Sequence, residues 1–94
     1  MFMKRIISDP FTNRLPHLDI HGETSLTCIA VINSFIKDAI HLKEPKIIVI
    51  HGKGTGTLKK ATHEYLKKDK RVNKYYIDGM NDGQTIIELN IEKK

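Results

Sequence analysis

Two histidines, His21 and His51, stand at matching places in the chain. Each follows an aliphatic run and precedes a glycine, in the strings LDIHG (18–22) and IIVIHGKGTG (47–56). If the two runs are parallel neighbouring strands, their carboxyl ends share one edge of the sheet and the imidazoles converge there, where ligand sites of open α/β sheets lie. An imidazole titrates near neutrality, so one can take a proton while the other gives one. Asp19 shares a strand face with His21 by the period-two rule, and can orient an imidazole or raise its pKa. This is the equipment for cleaving a phosphodiester by acid–base chemistry, with attack by a 2′-hydroxyl in the case of RNA. That route needs no cofactor. The alternative is a divalent metal held by Asp19, His21 and His51, a set of two histidines and one carboxylate.

The glycines after His51 extend the same idea. Gly52, Gly54 and Gly56 keep Cβ atoms away, so backbone amides can approach a phosphate where a following helix adds partial positive charge. Lys53 supplies a full charge, and Thr55 and Thr57 can cap the helix or donate to phosphate oxygens. The segment is not a P-loop, because Ile47 stands where the first glycine belongs and Gly54 where a hydroxyl belongs. Nor is it a dinucleotide fingerprint, since Thr57 replaces the last glycine. Charge gathers in the same region. Residues 51–74 hold eight basic side chains against two acidic ones, while the rest of the chain is nearly balanced within the formal net charge of +5. Lys59, Lys60, Lys67 and Lys68 fall on the predicted helix after the loop and can track a nucleic-acid backbone. With no Trp and only three Phe and three Tyr, base stacking is a minor expectation and backbone contact the major one.

These residues need a scaffold, and ninety-four residues allow one small domain. Residues 1–17 show little periodicity, contain Pro10 and Pro16, and read as an N-terminal arm; 18–94 read as the folded domain. A strand at Leu18–Ile20 leads to a helix capped by Thr24 or Ser25 and ending near His41 or Leu42, with Cys28, Ile29, Ile32, Phe35, Ile36, Ala39 and Ile40 as its apolar stripe. Lys46–Ile50 is a strand apolar on consecutive residues, so buried on both faces or inside a sheet. A second helix carries Leu58, Ala61, Thr62, Tyr65 and Leu66 inward. Strands follow at Val72–Asp78 and Thr85–Ile91, joined by a turn at Asn81-Asp82-Gly83. The order is βαβαββ, an α/β fold with parallel strands joined by crossovers and a final hairpin. His17, His41 and His63 lack chemical company and read as surface or packing residues. The single cysteine forms no internal disulfide, no apolar run reaches the roughly 18–20 residues of a membrane span, and a cytoplasmic location is expected.

The quoted motifs resemble those of the Smr (small MutS-related) domain family. LDxHG is met by Leu18, Asp19, Ile20, His21 and Gly22, and HGxGxG by His51 through Gly56. The end of a third signature, GxTxxxL, is met by Gly83, Thr85 and Leu89, whereas Asn81 and Asp82 occupy places where glycine or alanine is common. The resemblance covers about residues 18–90. It implies a two-layer α+β sandwich similar to the C-terminal domain of translation initiation factor three, with a four-stranded mixed sheet in order 1-2-4-3 and an antiparallel fourth strand, internal to the sheet. It implies a nucleic-acid endonuclease that nicks DNA or cleaves RNA, with the ribosome as a further partner in some members. Asp19 and His21 preserve the DxH element associated with cleavage, with His51 as the second histidine and Gly83 and Thr85 on the substrate side. A non-catalytic nucleic-acid or ribosome-binding module is the alternative.

Overall fold

The structure, a computed structural model, describes residues 7–9 and 14–91. Its elements are β1 (Ile7–Asp9), β2 (Arg14–Asp19), α1 (Ser25–His41), β3 (Lys46–Ile50), α2 (Thr57–Lys68), β4 (Val72–Asp78) and β5 (Asn81–Leu89). The expected βαβαββ order and four-stranded mixed sheet are present as β2-β3-β5-β4, and β1 adds a fifth strand antiparallel to β2 at one edge. β2 and β3 are parallel, and β5 runs antiparallel between β3 and β4.

Two boundaries differ from the sequence reading. β2 begins at Arg14, so the division at residue 17 between arm and domain falls inside a strand that is paired on both sides. The rest of the expected arm, residues 1–6 and 10–13, lies outside the described residues. The second difference is the last hairpin. Its turn is Gly79-Met80, closed by the Met80 amide donating to Asp78 Oδ1 at 2.9 Å, and Asn81 to Gly83 belong to β5. Asp side chains form such local turns readily, so Asp78 competes with the Asn-Asp-Gly string for the reversal.

Thr24 caps α1 reciprocally with Thr27: the Thr27 amide donates to Thr24 Oγ1 at 3.0 Å and the Thr24 amide to Thr27 Oγ1 at 2.9 Å. Cys28, Ile32, Phe35, Ile36 and Ala39 then bury one stripe of the helix. They join Leu66 of α2 and the sheet residues Leu18, Ile20, Ile47, Val49, Ile87 and Leu89 in one core cluster. Both helices therefore cover the same face of the sheet, giving two layers. Among the described residues Phe35 is the largest fully buried side chain, and Phe35→Ala is expected to cost about 3–5 kcal/mol in urea unfolding. A loss below about 1 kcal/mol would show that the core collapses around the gap. A polar tie supplements the packing: Arg71 Nη2 donates to Asp69 Oδ2 (2.7 Å), Asn33 Oδ1 (2.6 Å) and Tyr65 Oη (3.2 Å), joining α1 to the α2–β4 connection. That guanidinium holds the Asp69 carboxyl down at about 2.

No helix among the described residues is long and apolar enough to cross a membrane.

Candidate functional site

Strand register decides where the two histidines go. Asp19 pairs with Ile50, Leu18 with Val49 and His17 with Ile48. Paired residues share a sheet face, so Leu18 and Val49 face the helices while His17 and Asp19 face away from them. The Ile20 amide donates to the Ile50 carbonyl at 2.9 Å, the last backbone rung between the two strands among the described residues. His51, one residue after Ile50, points into the layer between sheet and α2. His21, two residues after Asp19, lies at the carboxyl end of the opposite face. The edge is shared as expected, but the imidazoles do not converge.

His21 is open to solvent, with 77% of its side chain exposed. Its Nδ1 lies 2.6 Å from Asp19 Oδ1, and its backbone amide donates to the same oxygen at 3.0 Å. Burial alone would push the Asp19 carboxyl up, but the two hydrogen bonds from His21 outweigh it and hold the group below its ordinary value. An ionised carboxylate only accepts, so Nδ1 carries the proton and Nε2 faces solvent. Asp19 in turn raises the His21 pKa by stabilising the imidazolium.

His51 is 5% exposed and has both ring nitrogens engaged. Nδ1 lies 3.1 Å from the Gly52 carbonyl, and Nε2 lies 2.8 Å from Thr85 Oγ1. The same hydroxyl lies 2.8 Å from His63 Nε2. Chemistry assigns the protons. A carbonyl only accepts, so His51 donates from Nδ1; its Nε2 then accepts the Thr85 hydroxyl proton, and the Thr85 oxygen accepts from His63 Nε2–H. The two rings stand edge to face at 6.2 Å, and His63 packs against Tyr75 at 5.0 Å.

This network corrects three readings. His51 is a buried structural group, so it does not meet substrate in this arrangement. Thr85 is fully buried, and its hydroxyl serves two imidazoles, not a nucleic acid. His63, read as a surface or packing residue, completes the network, and only its proximity to Leu66 on the inward side of α2 hinted at that. Nor is the two-histidine, one-carboxylate metal set assembled: among the described residues no three His, Cys, Asp or Glu side chains group to hold a metal.

Burial lowers the pKa of both His51 and His63, with Lys59 acting in the same sense. The unfolded chain therefore binds these protons more readily. The stabilisation they carry is complete above about pH 6.5 and is lost as pH falls. A urea midpoint that declines between pH 7.5 and pH 5.5 is the expected result, and a flat midpoint would contradict the burial of the pair. His21 acts in the opposite sense but is exposed, and Asp69 titrates far below this window.

The loop follows directly. Gly52 and Gly56 have φ of 84° and 87°, a left-handed backbone that disfavours any side chain. Gly56 is the N-cap of α2, and the Thr55 hydroxyl accepts from the Thr57 amide at 3.3 Å. A Cβ at Gly52, Gly54 or Gly56 would meet no atom within 4 Å, so the room they leave opens outward. The Gly52 amide is not part of the open surface: it and the His51 amide both donate to the Gly83 carbonyl, at 2.8 and 3.0 Å. Gly83 is thus buried and engaged in holding the loop to β5. Among the described residues, no backbone carbonyl accepts from the amides of Lys53, Gly54, Thr55 or Gly56. Gly52, Lys53, Gly54, Gly56, Lys59 and Asp82 line a shallow depression there.

The α2 lysines are all exposed but do not form one row. Lys59 borders the depression, Lys60 and Lys67 stack on the outward side seven residues apart, and Lys68 borders a separate groove with Leu26 and Ile29 of α1.

A family model described as the Smr domain matches residues 18–90. The chain is 39% identical over 75 residues to "Endonuclease MutS2" of Geobacillus sp. (strain WCH70), covering 77% of this chain and 10% of that protein. It is 37% identical over 77 residues to the protein of the same name from Symbiobacterium thermophilum, covering 79% and 10%. The chain thus spans about a tenth of the length of these relatives. Among solved structures, the Smr domain of Thermus thermophilus MutS2 superposes with a TM-score of 0.77 at 28% identity, covering 79% of this chain and 96% of that one. YdaL, a stand-alone small MutS-related protein from Escherichia coli, gives 0.75 at 19% identity over 84% and 70%, a likeness of fold.

Proposed function

Because the chain belongs to the Smr domain family, as the family model over residues 18–90 establishes, we propose that it is a nucleic-acid endonuclease that cleaves phosphodiesters at the Asp19–His21 dyad. The observation that carries this reading is the 2.6 Å contact that fixes an exposed imidazole at the strand edge from which the glycine loop also departs. Family relatives named as endonucleases support the reaction class.

The chemistry follows from the tautomer. With Nδ1–H held by Asp19, His21 Nε2 can take the proton of the attacking oxygen, a 2′-hydroxyl in RNA or a water in DNA, while that oxygen bonds to phosphorus. The resulting imidazolium, favoured by Asp19, can return its proton to the departing 5′-oxygen as the P–O bond breaks. One histidine serving both steps replaces a pair of histidines, since His51 is committed elsewhere. The loop amides from Lys53 to Gly56, the Lys53 ammonium and the α2 N-terminus stabilise the charge that develops on the phosphoryl oxygens. Lys59, Lys60 and Lys67 extend the attraction along the backbone.

The test is incubation of end-labelled RNA and DNA, single and double stranded, with and without EDTA. EDTA-resistant cutting of RNA that leaves a cyclic phosphate would support the 2′-hydroxyl route. Loss of cutting with EDTA would bring a divalent metal into the reaction. Binding without any cutting would favour a non-catalytic module, a reading that the internal engagement of both His51 nitrogens independently supports.

A further inference from the structure

The β4–β5 pairing is interrupted next to the loop. Ile77 pairs with Thr85 and the next residue, Asp78, pairs with Asn81, so Asp82, Gly83 and Gln84 bulge out of the ladder. Internal hydrogen bonds shape the bulge: Gly83 N–H donates to Asn81 Oδ1 at 2.9 Å, and Gln84 Nε2 donates to Asp78 Oδ2 at 2.7 Å. The Gly83 carbonyl then anchors it to the loop through the His51 and Gly52 amides. The approach is close, since a Cβ on Gly83 would stand 3.1 Å from Lys53 Cγ and 3.5 Å from the Gly52 carbonyl carbon. The bulge therefore delivers one carboxylate, Asp82, to the rim of the depression, where its Oδ1 lies 3.6 Å from Lys53 Nζ.

The geometry points to Asp82 as a specificity-determining residue that occupies Lys53 in the free protein and must yield it when a phosphodiester enters the loop, an inference that rests on the loop's being a phosphate cradle. Both side chains are largely exposed, 71% for Lys53 and 75% for Asp82, so the pair opens easily. An entering phosphate gains Lys53 only by exchanging one anion for another, and it then sits beside the displaced carboxylate. A small anion has only the loop amides and Lys59 of the depression itself to offset that repulsion. A polymer has more, because its neighbouring phosphates can reach Lys60 and Lys67 beyond the rim. Asp82 thus biases the cradle toward polyanions over isolated phosphates.

The exchange has a thermodynamic signature. In the wild type, the phosphate that takes Lys53 releases a counterion while the freed Asp82 recruits one, so this contact adds little to the salt dependence. With asparagine at 82, Lys53 neutralises a phosphate outright. The experiment is a titration of wild-type, Asp82→Asn and Asp82→Glu protein with a short labelled single-stranded oligonucleotide across a salt series, with inorganic phosphate as competitor. Asp82→Asn is expected to tighten binding about fivefold at low salt and to steepen the slope of log K against log salt by about 0.7, the increment for one further phosphate neutralised on a single strand. It should also make inorganic phosphate a better competitor, while Asp82→Glu stays near wild type. Adding Lys53→Ala to Asp82→Asn should cancel the gain. Intact wild-type binding with slope and affinity unchanged in Asp82→Asn would overturn the role of Asp82 alone. Absence of salt-sensitive oligonucleotide binding by the wild type would overturn the cradle reading and, with it, this inference.

Discussion

His21→Ala is expected to lower cleavage by about 10²–10⁴-fold, the range that a positioned acid–base group contributes, while oligonucleotide affinity stays within about twofold. The side chain is exposed and makes its one described side-chain hydrogen bond to Asp19, so its removal leaves the core and the glycine loop intact. Asp19→Asn separates orientation from proton transfer. It keeps an acceptor near Nδ1 but removes the charge that raises the His21 pKa, so activity should fall less than in His21→Ala and the pH–rate limb assigned to His21 should move toward lower pH. Cleavage by the His21→Ala protein at the wild-type rate would remove the dyad from the mechanism. Equal loss of binding and cleavage would instead make His21 a binding residue.

The second large effect concerns stability. Thr85→Val keeps the size of a fully buried side chain but deletes the hydroxyl that lies 2.8 Å from both His51 Nε2 and His63 Nε2. One imidazole loses a donor and the other an acceptor, His51 in a place with little access to water and His63 half-buried. At about 1–3 kcal/mol for the buried His51 nitrogen left unpaired and about 1 kcal/mol for the half-buried His63, the loss should reach about 2–4 kcal/mol. For a domain of this size that corresponds to a fall in Tm of about 10–20 °C. Thr85→Ser retains the hydroxyl and should lose only the packing of a methyl group, so the contrast between the two variants isolates the network. A Thr85→Val protein within about 0.5 kcal/mol of wild type would mean that the histidines find other partners.

The elements themselves were legible because local rules agreed. The three- and four-residue spacing from Cys28 to Ile40, the hydroxyl at Thr24 and the break at Pro45 define α1 and the start of β3 without reference to the rest of the fold. The extension of β2 back to Arg14 was not legible. Pro16 argues against a strand, and the pairing with β1 that completes it depends on residues far from the motif. The turn at Gly79-Met80 was hidden by a stronger turn string two residues later, which the structure uses for the bulge that carries Asp82.

The order of residues specifies the chemical inventory: an Asp-x-His pair, a glycine-rich loop with a lysine, and basic residues on the helix behind it, all brought to one edge by two parallel strands. Which histidine reaches solvent depends on how the strands pack. The repeated IHG places His21 and His51 thirty residues apart and invites alignment of like with like, yet the sheet pairs Asp19 with Ile50, an offset of thirty-one. Along β2 and the residue that follows it, the alternation of Leu18 and Ile20 with His17 and Asp19 specifies the core face. In β3, Ile47 to Ile50 is apolar on every residue and specifies neither. The register is settled by burying Leu18 and Ile20 beside Ile47 and Val49 against the helices, and because side chains alternate with a period of two, that single step sends His51 inward and leaves His21 outside.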